Sequence, residues 1–130
     1  MTNRMEEGLA LFRALHFFEA HEVLEAEWRP TPRGPRRELL QGLIQLAVSL
    51  EHWRRGNPRG ARGQWEKARG HLAGLPDLFE GVALRTLLED FARFYAAHDL
   101  DGAVAAQAAG HYGNGGRVAA SPVTAWPTPT

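Results

Sequence analysis

His21 and Glu22 stand side by side in "FFEAHEVLEAEW", residues 17–28, and Glu25 follows one helical turn later. A His-Glu pair invites comparison with the HExxH pattern, in which two histidines one turn apart bind zinc and the glutamate activates water. Position 25 is Glu where that pattern needs its second histidine. A carboxylate also ligates metals, so His21 and Glu25 can offer two donors from one helix face. A third must come from another element. Arg37, Gln41, Gln45 and His52 fall within about 80° of one another on a helical wheel, and His52 is the one good first-row ligand among them. His21, Glu25 and His52 as ligands with Glu22 as base would make a metal-dependent hydrolase.

A second reading uses the same residues without a metal. Histidine and glutamate at i and i+4 on a mostly apolar face hydrogen-bond each other or a neighbouring amide, which offsets the cost of burying them. Gln41 or Gln45 would be that amide. This polar network demands fewer converging groups, so a divalent cofactor is not favoured and no other cofactor is implied. His21, Glu22, Glu25, Gln41 and Gln45 would then line a groove for a small polar ligand or a protein partner, with Trp28 on its wall and Arg37 near its mouth.

Other chemistries have weaker support. Ser49 has His52 at i+3 but no strained nucleophile turn or oxyanion hole. "GNPRGARG" places glycines and arginines before a helix, where N–H groups can receive phosphate, yet it lacks the Gly-Lys-Ser/Thr ending of a P-loop. Arg54, Arg55, Arg59, Arg62, Lys67 and Arg69 form a basic stretch that pairing with the acidic helix or solvation explains as well as nucleic acid does. Trp28, Trp53 and Trp65 read as core or groove-lining residues rather than a base-stacking platform.

These residues need helices to position them. Met5, Leu9 and Phe12 predict a first helix over about 3–14, capped by Thr2 or Asn3. In the second, residues 17–28, Phe17, Phe18, His21, Leu24, Glu25 and Trp28 share about 120° of the wheel. Pro30, Pro32 and Pro35 stop it. Residues 36–55, with Leu39, Leu43, Leu46, Leu50 and Trp53 on one face, form the central helix. Gly56 fits its C′ position, Asn57 caps the next helix and Pro58 opens it. That fourth helix runs to about Ala73. "GLPD" breaks it, Asp77 is a candidate cap for a fifth helix reaching about His98, and "DGAVAAQAAGH" can form a short sixth. Ala20, Ala61 and Ala103 recur every 41 to 42 residues at matching helix starts, within the range of helical-repeat periods. The expected fold is all-α, an antiparallel array of about five helices built from hairpins, with the first four forming the core. Residues 1–109 would be the helical domain and 110–130, rich in Gly, Pro, Ser and Thr, a flexible tail.

Composition narrows the setting. A chain of 130 residues can bury one sizeable core without staples. The absence of cysteine excludes disulfides, thiolate metal sites and a cysteine nucleophile, and fits a cytoplasmic home. Fifteen basic and fifteen acidic residues cancel, which argues against a polyanionic partner. The N-terminal residues resemble neither a signal peptide nor a membrane anchor. A homo-oligomer formed through apolar surface left over by the extra helix is compatible with the pattern.

"LFRALHFFEAHEVLEAEW" followed by "LLQGLIQLAVSLEHWRRGNPRGARGQWEKARGHL" resembles the domain of unknown function numbered 309, a family of small bacterial and archaeal helical proteins. The resemblance covers roughly residues 9–75 and leaves helices over 77–109 as additions. It marks His21, Glu22, Glu25, Trp28, Gln41, Gly42, Gln45, Asn57, Gly60 and Ala61 as motif positions, and it implies an all-helical array with no activity attached. Relatives often carry a glycine where the first two helices meet; this chain has "ALHFF" there.

Overall fold

The computed structural model describes residues 4–110. Six helices follow in order: α1 Arg4–Arg13, α2 Phe17–Trp28, α3 Pro35–Arg54, α4 Pro58–Ala73, α5 Leu84–Ala97 and α6 Leu100–Ala108. The fold is all-α apart from one small antiparallel hairpin, β1 Leu78–Phe79 and β2 Val82–Ala83. Thr2 and Asn3, expected as caps, and the tail expected beyond Gly110 lie outside the described residues. No helix among the described residues is long and apolar enough to cross a membrane.

The α1–α2 and α3–α4 turns share one device. After α3, Gly56 takes φ 80°, its N–H bonds Trp53 O, and the Asn57 N–H reaches His52 O. That is a Schellman ending, which needs a left-handed residue at its turn position. After α1, Leu15 fills the same position with φ 68°, its N–H on Phe12 O and the His16 N–H on Leu11 O. The missing glycine of "ALHFF" therefore does not abolish the turn; a leucine adopts the unfavourable conformation instead. Ala20, Ala61 and Ala103 are each the fourth residue of α2, α4 and α6. Their N–H groups bond the carbonyls of His16, Asn57 and Asp99, the residues just before each helix.

Packing centres on α3, which contacts both α2 and α4. Gly42 makes the second contact close: a Cβ there would lie 2.4 Å from the Leu72 side chain. On α2 the buried residues are Phe17, Ala20 and Leu24, while Phe18 is 49% exposed. The inward face is thus rotated toward Ala20 relative to the expected one, because α1 also packs on α2 and presents Gly8 to Leu24. His21, Glu25 and Trp28 lie half-buried at the edge of that face.

Two expectations need correction. The core is not confined to the first four helices: Leu87, Phe91, Phe94, Tyr95, Leu100 and Val104 of α5 and α6 join it. Phe91 stacks on Trp65 with centroids 5.6 Å apart and meets Phe12 edge-on at 6.1 Å. The fifth helix starts at Leu84 rather than after Asp77. Glu80 and Gly81, at φ 49° and 80°, form the two-residue hairpin turn between β1 and β2, whose primed geometry needs positive φ at both positions. Asp77 still contributes to the start of α5, but through its carbonyl, which accepts the Leu84 N–H at 2.7 Å.

Gly42→Ala should destabilise the fold by about 1–3 kcal/mol, since a new Cβ must displace Leu72. Leu15→Gly should stabilise it by up to ~1 kcal/mol by relieving a left-handed leucine. Urea unfolding of the two variants checks both signs.

Candidate functional site

The α2–α3 seam carries the sequence-predicted residues, but it divides them between two ends. At one end His21 Nε2 donates to Glu25 Oε2 at 3.1 Å, and the other oxygen of Glu25 accepts from Arg29. Both oxygens of Glu25 are therefore engaged. His21 also lines a cleft of about 240 Å³ with Phe17, Phe18, Val48, Glu51, His52 and Arg55. Glu22 is exposed and makes no hydrogen bond or ion pair with a described residue.

His52 reaches the same cleft but is turned to another task. Its Nδ1 accepts from Asn57 Nδ2 at 3.1 Å. The Asn57 Oδ1 accepts from Gly60 N–H at 3.2 Å and from Gln107 Nε2 at 2.9 Å, so this amide orientation satisfies every contact. A neutral His52 then carries its proton on Nε2 and has no lone pair to offer there. Among the described residues no group of three or more His, Asp or Glu side chains could hold a metal ion. His21, Glu25 and His52 thus share a region without forming an open ligand set.

In "GNPRGARG" the structure shows a capped helix start rather than free N–H groups for phosphate. Pro58 has no N–H, the Arg59 N–H donates to Gln107 Oε1 at 2.8 Å, and those of Gly60 and Ala61 go to Asn57 Oδ1 and O. The start of α4 is already filled by protein acceptors. Gly60 must lack a side chain there, since a Cβ would lie 2.5 Å from Asn57 Nδ2. Where residues of the basic stretch are engaged, their partners lie outside the acidic helix: Arg54 and Arg55 bind Glu51, Arg62 approaches Asp101 of α6 at 3.4 Å, and Arg69 covers the Trp65 ring.

At the opposite end of the seam, Trp28, Arg33, Gly34, Arg37, Glu38, Gln41 and His71 line a crevice of about 310 Å³. The Arg37 guanidinium lies over the Trp28 ring, 3.9 Å from its centroid. Its Nη1 donates to Trp28 O at 3.0 Å and Thr31 O at 2.6 Å, while Thr31 Oγ1 closes the end of α2 on Glu27 O. Trp28 Nε1 is buried without a partner among the described residues, and so is Oε1 of Gln45, one turn along α3 from Gln41. No hydrogen bond joins Gln41 or Gln45 to His21 or Glu25, so these residues do not form the expected single network. Arg33, Glu38 and His71 were not singled out in the sequence. Arg33 had a legible signal, an arginine beside the Gly-Pro start of α3; His71 comes from α4 and had none.

Ser49, weighed as a nucleophile, is buried with its hydroxyl donating to Ala61 O at 2.7 Å. Tyr95 OH lies 2.7 Å away and, with the serine proton committed, is the donor between them. Burial pushes the Tyr95 phenol well above its ordinary value, and the Ser49 hydrogen bond opposes that by less.

Residues 5–64 match the family described as a domain of unknown function, DUF309. This stretch is similar to DUF309 domains. It spans α1 to the first turns of α4 and holds every crevice residue except His71. A 46-residue stretch is 48% identical to the uncharacterized protein YpuF of Bacillus subtilis (strain 168), covering 35% of this chain and 26% of that protein. A 77-residue stretch is 32% identical to an uncharacterized protein of Aquifex aeolicus (strain VF5), covering 57% of this chain and 23% of that protein. The chain therefore spans about a quarter of the length of these relatives. Both are uncharacterized proteins, and neither name adds a substrate.

Tyr95 gives a pH signature. Its raised value in the folded state means that the fold keeps a proton the unfolded chain loses, so stability is full below about pH 10 and falls as pH rises above it. Tyr95→Phe should cost about 1 kcal/mol at neutral pH and flatten the alkaline slope. Urea midpoints measured from about pH 8 to about pH 11 test this.

Proposed function

We propose that this chain is a ligand-binding helical domain rather than an enzyme, with the Trp28–Arg37–Gln41 crevice as its site for a small polar molecule. The observation that carries this reading is that Trp28, which lines a crevice of about 310 Å³, has a buried indole N–H without a partner among the described residues. Leaving such a donor unmade costs about 1–3 kcal/mol, which a ligand acceptor would recover. The volume lies at the small end of ligand sites, which suits a metabolite-sized molecule. Gln41 adds a donor and an acceptor to the lining.

The rest of the seam serves as support. His21 and Glu25 satisfy each other with help from Arg29, and His52 fixes the start of α4 through Asn57. Glu22 is exposed and has no hydrogen-bond or ion-pair partner among the described residues. Residues 1–109 act as the folded unit in this proposal.

Small neutral polar fragments, added to the ¹⁵N-labelled protein, should shift the Trp28 indole and Gln41 side-chain signals together. Gln41→Ala should weaken the best fragment by about 2- to 12-fold, the effect of one lost neutral hydrogen bond. Shifts confined to the His21–His52 cleft, or saturable shifts nowhere, would overturn the assignment.

A further inference from the structure

Arg36 and Arg37 are neighbours on α3 with opposite electrostatic surroundings. Arg36 binds the carboxylates of Glu27 and Glu80. Arg37 binds none: its described protein contacts are the Trp28 ring and the carbonyls of Trp28 and Thr31. A guanidinium has five N–H donors; two bonds from Nη1 leave those on Nε and Nη2 without a protein acceptor among the described residues. The group is half-buried and held in one orientation, so an anion meeting it requires little further ordering.

The crevice lining sets two guanidiniums against one carboxylate, so positive charge remains. Arg33, also on its lining, has no described acidic partner. The one carboxylate present is Glu38, and His71 Nδ1 donates to its Oε2. The α3 N-terminus adds to the same potential: its N-cap, Gly34, has no side chain to accept a bond, and the Arg36 and Arg37 amides have no described acceptor. A dipole end alone would not define a site. Here it reinforces a positioned guanidinium beside a buried indole donor.

We propose that the crevice is selective for a small molecule bearing an oxyanion, a carboxylate or phosphate, that bridges Arg37 and Arg33 while accepting from Trp28 Nε1. This rests on the binding-site reading above and adds the charge of the ligand. It also explains why Arg37 is tied to carbonyls rather than to an acid: a carboxylate partner would compete with the ligand for the same donors.

Acetate, inorganic phosphate and neutral acetamide, titrated into the full chain at constant ionic strength, separate the alternatives. Acetate or phosphate should saturably shift the Trp28 indole and the Arg36 and Arg37 amides, and should bind at least about tenfold more tightly than acetamide, as expected of a charge-assisted bond. Binding of acetate alone marks a carboxylate ligand and of phosphate alone a phosphoryl one; binding of both supports the shared oxyanion chemistry. Arg37→Gln should weaken the anion about tenfold or more and Arg36→Gln by less than about twofold. Exposed Arg33→Gln, which removes no described contact, should weaken it severalfold and guards against a misfolded Arg37 variant. Equal binding of acetate and acetamide would overturn the anion inference while leaving the site. Saturable binding by none of the three probes would overturn the inference; the neutral-fragment experiment separately decides the binding-site reading.

Discussion

Burial of α3 on nearly all sides is the constraint from which the rest of the molecule follows. Twelve of its twenty residues are buried, among them polar Gln45, Ser49 and Glu51. A helix enclosed in this way must have small residues where neighbours come close and partners where its polar groups are sealed from water. Gly42 meets the first demand by letting Leu72 of α4 rest against the backbone. Ser49 meets the second by joining Ala61 of α4 to Tyr95 of α5 through one hydroxyl. Glu51 is held by Arg54 and Arg55 from its own helix end.

The same enclosure accounts for the asymmetry of the seam with α2. At the N-terminus of α3, the Pro- and Gly-containing turn borders a crevice lined by Trp28 and by polar or charged side chains. At the other end the cleft is walled by phenylalanines and valine, and its histidines are engaged by Glu25 and Asn57. Gln45, between the two ends, carries the cost of an unpartnered acceptor in the middle of the packed region.

The last described helix, α6, is bound to the segment that matches DUF309 by an amide relay rather than by apolar contact alone. Gln107 donates to Asn57 Oδ1 and accepts from the Arg59 N–H, completing a cap that Asn57 begins. Asn57 in turn orients His52. A side chain from outside the matched residues 5–64 thus completes the first turn of α4 inside it, and packing of α5 aromatics on Trp65 extends the core the same way.

Local rules made much of this legible. The span Phe17–Trp28, the Gly56–Asn57–Pro58 joint and the end of α4 at Ala73 follow from hydrophobic period, prolines, a cap and a left-handed glycine, each acting within a few residues. His21 and Glu25 were readable as a pair because one turn of helix sets their separation. What tertiary structure alone decided is which face of α2 turns inward, since that depends on α1 and α3 together. It also decided that Asp77 caps through a carbonyl across a hairpin, and that Arg37 settles on Trp28 while Arg36 finds two acids. Spacing along a chain fixes neighbours one turn apart; the charge around a guanidinium depends on groups up to 44 residues away, as between Arg36 and Glu80.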